Sequence, residues 1–448
     1  MKPHSITIGI LSLGCPKNLV DSEVLLGFLE QEGFSISFDV TNCDVALINT
    51  CAFVDDACQE SLDMIEEVCN LKKEGHVKYV IVCGCLPQRY PEGIDTCREK
   101  IDAYIGTGEI TQIGTIVRAV LNNEKPVECT SPTYLYSHKS PRFFLTPPFV
   151  KYVKIAEGCD HQCSFCVIPH LRGSYRSREI ESIVTEVTSL VDQGLREVVL
   201  IAQDTSYYGK DRYGQLRFAD LLHAISNIKG LTWIRPLYLH PKHITADLVS
   251  VYKSNDTICK YIDIPLQHIN NDILRSMRRG ITREEITDLI HFLRQEIEGV
   301  VIRTAFIVGY PGEGYEEFNE LLDFIDEMAF ERLGAFIYSR EDGAHAASLE
   351  DTVSETVKKS RFQDIMLLQQ KISREKNSQL KNKVFQTLIE GYNEDKPDFF
   401  IGRTYMDAPE VDGLIYVKKK RDIEIGNFYP VKVMDTFEYD LVGKIVKK

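Results

Sequence analysis

The chain lacks an apolar run long enough to span a bilayer, and no secretory signal stands at its start. We therefore expect a cytoplasmic protein with no membrane partner. Positive charge is also in deficit, because 52 Lys and Arg face 66 Asp and Glu and the net charge is −14. An acidic body disfavours a large phosphate-binding surface and favours a basic partner, although a local basic groove can override the bulk charge.

Cysteine, by contrast, is abundant, with 13 in 448 residues. In a chain without a signal peptide, metal ligation is favoured over disulfides. The densest group has CxxxCxxC spacing and consists of Cys159, Cys163 and Cys166. Three thiolates on so tight a loop suit a 4Fe-4S cluster and leave one iron without a protein ligand, which is typical of a catalytic site. A zinc site that takes His161 or His170 as its fourth ligand is the alternative.

Residues 1–124 predict an α/β domain, because short apolar strands alternate with helical stretches and so indicate a parallel sheet with covered faces. Strands are predicted at 6–13, 45–49, 79–83 and 103–105. Helices are predicted at 18–31, 55–73 and 110–121. Ligands of such a sheet gather beyond the carboxyl ends of its strands.

One cysteine follows each of the first three strands: Cys15, Cys51 and Cys85. These three can therefore meet in space, and adjacent glycines allow close backbone approach. The residues alone leave a second metal site here an open question, and Cys83 is the rival of Cys85. The other N-terminal cysteines are predicted to pack as small buried side chains: Cys43, Cys58, Cys69, Cys83 and Cys97.

Five prolines between 126 and 148 predict an extended linker over 125–148. Six strand–helix repeats then predict a full or partial barrel whose functional loops follow the strands. The predicted strands are 151–155, 197–202, 233–238, 261–264, 301–308 and 333–338. The predicted helices are 179–193, 218–227, 245–253, 270–296, 315–329 and 354–380. The cysteine loop follows the first of these strands, as expected for a functional loop.

Five short, partly alternating runs end the chain and predict a small antiparallel barrel. They are 384–390, 399–405, 411–417, 428–436 and 439–446. The basic cluster at 418–421 is interpreted as a charged hairpin tip in preference to a nucleic-acid contact.

These features together resemble one family across essentially the whole chain, the radical S-adenosylmethionine (SAM) methylthiotransferases. The cysteine loop is similar to the radical SAM signature, in which SAM binds the open iron of the cluster. The resemblance implies a flavodoxin-like domain at 1–124, a linker at 125–148, a partial (β/α)6 radical SAM barrel at 149–376 and a TRAM β-barrel at 377–448. It implies two 4Fe-4S clusters, an auxiliary one on Cys15, Cys51 and Cys85 and a SAM-binding one on Cys159, Cys163 and Cys166.

The segment 12–23, SLGCPKNLVDSE, resembles the RimO-like branch of this family. That branch modifies an aspartate of small-subunit ribosomal protein twelve (uS12). The MiaB-like branch modifies isopentenyladenosine in tRNA and typically has Gln-Met-Asn after the first cysteine. The segments 156–159, 338–343 and 402–413 also look RimO-like. The chain departs from the family at 239–241 and 344–346, and neither loop holds a ligand cysteine.

The resemblance implies methylthiolation of the aspartate β-carbon in uS12, with two SAM molecules and two 4Fe-4S clusters. That carbon has no acidic hydrogen, so a cofactor must supply radical chemistry. The implied partners are uS12, free or on the ribosomal subunit, an electron donor and a sulfur source. A tRNA methylthiotransferase and a non-catalytic iron–sulfur protein are the alternatives. An electron carrier would close each cluster with four protein ligands, which disfavours the second.

Four residues in the predicted loops are candidate SAM contacts. Phe165, inside the cysteine loop, is placed near the adenine by its likeness to the family. Gln203 follows the second barrel strand, and Gly309 and Glu313 follow the fifth. For these three a turn or a helix cap is the competing role.

Charged residues near the cysteine loop receive simpler interpretations. Three arginines, Arg172, Arg176 and Arg178, can pair with carboxylates or anions. A solvated cluster is their default interpretation. Three histidines are interpreted as ordinary polar loop residues: His240, His243 and His268.

Overall fold

The computed structural model describes residues 6–92 and 100–446, which form three successive units. The first is an α/β domain whose six parallel strands are arranged in the order β2-β1-β3-β4-β5-β6. This order confirms the predicted flavodoxin-like fold. The strands are β1 (Thr7–Ser12), β2 (Ser35–Ser37), β3 (Cys43–Thr50), β4 (Val77–Gly84), β5 (Ala103–Ile105) and β6 (Val127–Glu128).

Within residues 6–92 and 100–128, four helices cover this sheet: α1 (Pro16–Gln31), α2 (Asp55–Glu74), α3 (Cys85–Arg89) and α4 (Ile113–Leu121). Pro16 suits the first helical position because its missing N–H would have no partner there. Every residue of the central strand β3 from Val45 to Thr50 is buried, as expected for a parallel strand that is covered on both faces.

The second unit is a partial barrel of two three-stranded parallel sheets, β11-β10-β7 and β12-β13-β14. The two sheets meet through an isolated bridge between Ile234 and Ile258. The strands are β7 (Val150–Lys154), β8 (Ala156–Glu157), β9 (Arg176–Ser177), β10 (Glu197–Ile201), β11 (Trp233–Pro236), β12 (Tyr261–Asp263), β13 (Val301–Val308) and β14 (Arg332–Ile337). The short strands β8 and β9 pair with each other beside the barrel.

Nine helices belong to this unit: α5 (Ile168–Arg172), α6 (Ile180–Asp192), α7 (Lys210–Tyr213), α8 (Phe218–Ser226), α9 (Ala246–Ser254), α10 (Asn271–Ser276), α11 (Arg283–Glu296), α12 (Tyr315–Met328) and α13 (Glu355–Ser378). The single helix predicted at 270–296 is wrong. Arg278 and Gly280 take positive φ values of 55° and 65°, which ends α10. A capping box of Thr282 and Glu285 then starts α11.

The third unit is a closed barrel in the order β15-β16-β17-β19-β18. Four of its pairings are antiparallel, as predicted, but β17 and β19 pair in parallel. The strands are β15 (Val384–Tyr392), β16 (Phe399–Arg403), β17 (Ile415–Lys418), β18 (Phe428–Thr436) and β19 (Leu441–Ile445). In the described ranges, no helix has the length and apolarity needed to cross a membrane.

The closed barrel packs against the amino ends of the central strands. Glu197, the first residue of β10, accepts from Arg235 Nε at 2.7 Å and from Arg403 Nη2 at 2.5 Å. Arg332, which begins β14, pairs with Asp407 at 2.5 Å. The opposite, carboxyl end of the central barrel is therefore the end that faces the first domain.

The segment predicted as a linker packs against both the first domain and the central barrel. Tyr136 is buried, and its hydroxyl accepts the backbone N–H of Lys154 at 2.9 Å. Arg142 pairs with Glu186 of α6 at 2.7 Å and with Glu23 of α1. These ion pairs tie the first domain to the central barrel.

Candidate active site

The CxxxCxxC loop lies between β8 and α5, beyond the carboxyl end of β7. Its buried anchor is Ser164, whose hydroxyl donates to the backbone oxygen of Ser276 at 2.7 Å and lies 2.8 Å from the Tyr310 hydroxyl. Gly158, at φ 83°, precedes the first cysteine. A Cβ at this position would lie 2.1 Å from the Ser174 backbone oxygen, so only glycine fits.

Burial and one arginine set the electrostatics of this loop. Burial raises the pKa of the Cys159 and Cys166 thiols to about 12. Arg279 donates through Nη1 to Cys163 Sγ at 3.4 Å and through Nη2 to the Pro265 backbone oxygen at 2.7 Å. Sequence reasoning missed Arg279 because it lay inside the helix predicted at 270–296. The adjacent Gly280 was the available signal of a break.

The second group of cysteines lies at the carboxyl ends of β1, β3 and β4. Cys15 caps α1, Cys51 follows β3, and Cys85 begins α3. A Cβ on Gly14 would lie 2.8 Å from Cys51 Sγ, so the chain passes in contact with that thiol. Burial raises the pKa of Cys51 to about 12, and the charges of Cys85 and Cys15 add to this effect. The structure thus brings these three cysteines together.

Cys83, the rival of Cys85, lies on the face of β4 that packs against α1 and α4. It packs in the apolar core with residues of α1 and α4, whereas Cys85 belongs to the cluster between the sheet and α2. Cys43 and Cys69 are buried, as predicted, and Cys58 is half-buried within 3.8 Å of Arg89. Cys97 lies outside the described residues.

A buried ion cluster connects the second cysteine group to residues that flank the CxxxCxxC loop. Arg172, at the end of α5, donates to Cys85 Sγ at 3.2 Å and to Asn18 Oδ1 at 3.0 Å, and it pairs with Asp21. Asp21 also pairs with Lys154 of β7 at 2.5 Å. Arg172 therefore pairs with a carboxylate, one of the two roles considered for it.

Two further contacts cross the same interface. The Lys17 Nζ lies 3.3 Å from the centre of the Tyr238 ring, beyond β11. Arg89, at the end of α3, pairs with Glu341 beyond β14 at 2.6 Å. Both cysteine groups therefore border the interface between the first domain and the carboxyl end of the central barrel.

The kind and number of donor atoms bear on the metal that each trio of thiols suits. In residues 6–92 and 100–446, one group of three or more ligating side chains has its ligand atoms within 4.8 Å of one another, and it contains no cysteine. Each trio instead offers three thiols beside permissive glycines, Gly14 and Gly84 in one and Gly158 in the other. Three thiolates suit an iron–sulfur cluster with one open iron, whereas a closed zinc site needs a fourth ligand.

The four candidate SAM contacts lie in different surroundings. Phe165 is half-buried and packs with Met277, Tyr310 and Tyr338. Gln203 donates to Glu157 Oε1 at 2.7 Å, and its own Oε1 is buried with no hydrogen bond from the described residues. Gln203 thus lies beside the ion cluster at the domain interface.

Glu313 and Gly309 are bonded to each other. The Gly309 N–H donates to Glu313 Oε2 at 2.9 Å, and Arg361 of α13 pairs with Glu313 Oε1 at 2.7 Å. His268 Nε2 lies 3.4 Å from the same carboxylate. Glu313 is fully buried, and its contacts hold α13 against the loop after β13.

A second polar cluster, which sequence reasoning missed, lies beside the cysteine loop. It joins His161 to Asp204 at 2.7 Å and His243 to Asp204 at 2.8 Å, with His240 stacked on His161. The available signal was that Asp204 and His240 follow the neighbouring strands β10 and β11.

Three family models match successive parts of the chain. Residues 7–106 match the uncharacterized protein family UPF0004, residues 153–325 the Radical SAM superfamily, and residues 383–446 the TRAM domain.

Full-length relatives share more than two fifths of their residues with this chain. The ribosomal protein uS12 methylthiotransferase RimO of Desulforamulus reducens is 44% identical over 98% of this chain and 100% of its own length. The protein of the same name from Clostridioides difficile is 42% identical over 98% and 99%. That from Caldanaerobacter subterraneus is 45% identical over 98% and 99%.

Solved structures share the fold at low identity. The radical SAM methyltransferase TsrM of Kitasatospora setae, with tryptophan and a SAM analogue bound, has a TM-score of 0.54 and 16% identity over 74% of this chain and 73% of its own. The cobalamin-dependent SAM radical enzyme OxsB has a TM-score of 0.51 and 14% identity over 77% and 54%. These likenesses show the fold alone.

Proposed function

We propose, since this chain belongs to the RimO family of radical SAM methylthiotransferases, that it methylthiolates the β-carbon of an aspartate in ribosomal protein uS12. The family uses SAM and 4Fe-4S chemistry, and the chain is an enzyme of this kind. The observation that carries the proposal is that two cysteine trios lie at one interface, where Arg172, which follows the CxxxCxxC loop, donates to Cys85 Sγ of the other trio. A ribosomal substrate assigns the reaction to the cytoplasm.

The six cysteines divide the chemistry between two clusters in this proposal. Cys159, Cys163 and Cys166 hold the SAM-binding cluster, and a second trio holds the auxiliary one: Cys15, Cys51 and Cys85. When bound, the SAM-binding cluster would supply radical chemistry and the auxiliary cluster would supply sulfur. Thiols must lose their protons to bind iron, so the buried Cys51, Cys159 and Cys166 release protons as the clusters load.

The residues around the interface position these groups and exclude water. Arg172 and Lys154 neutralise Asp21 and Glu157 in a buried cluster, which fixes α1 against the end of β7. Gln203 holds Glu157 in turn. This arrangement holds the CxxxCxxC loop and the second cysteine trio at a fixed orientation to each other, as transfer of a group between them requires.

Two observations support an acidic side chain in a basic protein as the target. Lys17 is half-buried at the interface, where its ammonium can attract a carboxylate. The chain carries a net charge of −14, which favours a basic protein such as a ribosomal one. The same charge disfavours tRNA, the substrate of the alternative branch, since its phosphates would be repelled.

The test is a mass measurement on two substrates. Enzyme reconstituted anaerobically with iron and sulfide is incubated with SAM, reductant and either uS12 or tRNA bearing isopentenyladenosine. We expect the mass increase of one methylthio group on an aspartate of uS12 and none on the tRNA. The reverse outcome would assign the chain to the other substrate. Absence of SAM cleavage by the reduced, iron-loaded enzyme would leave only a non-catalytic iron–sulfur protein.

A triple variant tests the division of labour. Replacing Cys15, Cys51 and Cys85 by alanine should lower the iron content from roughly eight atoms to roughly four. SAM cleavage should survive and methylthiolation should cease. The matched control replaces three cysteines outside both trios, Cys43, Cys58 and Cys129, and should keep both activities. Loss of SAM cleavage in the first variant, while folded and half-loaded with iron, would refute the assignment.

A further inference from the structure

Three imidazoles and one carboxylate converge beside the cysteine loop and take no part in the proposed reaction. His161 belongs to that loop, Asp204 follows β10, and His240 and His243 follow β11. One ligand atom from each lies within 4.8 Å of the others. The sequence distances among them show that three separate loops are brought together at this point.

Asp204 is the centre of the group. Its Oδ2 accepts from His161 Nε2 at 2.7 Å and from His243 Nδ1 at 2.8 Å. Its Oδ1 is held by the Ser206 hydroxyl at 2.6 Å and by the Tyr207 N–H at 3.1 Å. One carboxylate oxygen is thus fixed by the fold and the other is aimed at the two imidazoles. Outer hydrogen bonds of this kind orient the ligands of protein metal sites.

The three rings are stacked closely. The His161 and His240 ring centres are 4.5 Å apart with an interplanar angle of 18°, and His161 and His243 are 5.2 Å apart at 20°. Asp204 and His240 are buried, whereas His161 and His243 keep 26% and 14% of their side chains exposed. The donors are therefore largely desolvated while one side stays open to small ions.

Imidazole and carboxylate donors in this number suit zinc or ferrous iron. We propose that His161, Asp204, His240 and His243 bind one divalent cation of this class. The site contains no thiolate, and it adjoins the CxxxCxxC loop through His161, which lies between Cys159 and Cys163. Bound there, the cation fastens the cysteine loop to the ends of β10 and β11, so it has a structural role.

The competing explanation is a hydrogen-bonded network that holds no metal. Metal analysis of the reconstituted holoenzyme separates the two. Enzyme with both clusters loaded is incubated anaerobically with one equivalent of zinc, desalted and analysed for zinc and iron. A parallel sample receives ferrous iron instead and is examined by Mössbauer spectroscopy for a high-spin ferrous signal distinct from the clusters. The variants are His240→Gln and His243→Gln, and the control is His223→Gln, an exposed histidine of α8.

We expect about one retained equivalent of zinc or ferrous iron in the wild type and the control, and a loss of at least tenfold in affinity in each variant, as removal of a ligand or its support causes. X-ray absorption at the zinc edge should show nitrogen and oxygen neighbours at about 2.0 Å. Sulfur neighbours at about 2.3 Å would put the zinc on cysteines and overturn the proposal. Equal retention in wild type and variants, or no retention of either cation, would also overturn it.

The iron content of the clusters and the thermal unfolding curve serve as fold controls. Should His240→Gln lose its cluster iron, the decision passes to His243→Gln, because the His243 side chain is partly exposed whereas His240 is buried. The wild-type absorption spectrum needs no variant and decides the ligand type by itself.

Discussion

Replacing Arg172 by methionine should weaken the packing of the first domain against the central barrel. Arg172 and its partners Asp21 and Glu157 keep 4%, 7% and 6% of their side chains exposed. Two carboxylates and two cations, Arg172 and Lys154, balance in this cluster, so methionine leaves one buried negative charge without a partner. Breaking a buried pair in this way costs about 3–5 kcal/mol.

A double-mutant cycle isolates that charge. In the combination of Arg172→Met with Asp21→Asn, Lys154 and Glu157 remain as one balanced pair. The combined loss should therefore be smaller than the sum of the single losses, by about 0.5–3 kcal/mol. Urea unfolding of the reduced, cluster-free chain, followed by circular dichroism, measures the loss of unfolding free energy in each variant. A chain of several domains need not unfold in one step, so the loss is taken from the first transition.

The control is Arg212→Met, which breaks a pair with Glu179 whose side chains are 37% and 60% exposed. An exposed pair of this kind is worth about 0–1 kcal/mol. The reasoning fails if Arg172→Met and Arg212→Met unfold at the same urea concentration. It fails equally if the Arg172 and Asp21 losses simply add, since the buried charge would then not be the cause.

Two further predictions concern other charged groups. Burial opposes ionisation of Glu197, but Arg403 and Arg235 hold its pKa below the usual 4.5, so its stabilisation is present above pH 4.5 and is lost as the pH falls toward the lowered pKa. Glu197→Gln should remove that pH dependence and expose the connection before β15 to protease; an unchanged acid unfolding profile would contradict this. Arg279→Met removes a cation 3.4 Å from Cys163 Sγ and should shift the potential of the cluster proposed there to more negative values, because positive charge stabilises the reduced form. Redox titration followed by electron paramagnetic resonance measures the shift, and Arg278→Met, an exposed neighbour, should show none.

The regular elements were predictable because their signals are local. The strand predicted at 301–308 matches β13, and the helix predicted at 18–31 differs from α1 only at its start. Apolar runs and helical spacing fix such elements wherever the chain later packs. The edge strands β2 and β6 were missed because they are both short and partly exposed, whereas the equally short β5 is apolar and buried and was predicted.

The cysteine groups were partly predictable for a different reason. Cys15, Cys51 and Cys85 each follow a parallel strand, which predicted that they lie together at the carboxyl ends of the strands. The structure brings the three together there. The charged contacts were not predictable, because they join residues far apart in sequence. Glu197 and Arg403 are 206 positions apart, and the residues around either one give no sign that the other is its partner.

The positions of the three units together explain how the C-terminal barrel can affect the interface between the first domain and the central barrel. Asp412 of that barrel lies 3.7 Å from Arg303, which donates to Asp263 at 2.8 Å inside the central barrel. The other oxygen of Asp263 accepts the Tyr238 N–H at 2.9 Å, and Lys17 lies over the Tyr238 ring. A column of charges therefore runs through the central barrel to the lysine at the interface. Because buried charges of this kind must stay paired, the docking of the C-terminal barrel constrains where Lys17 can stand.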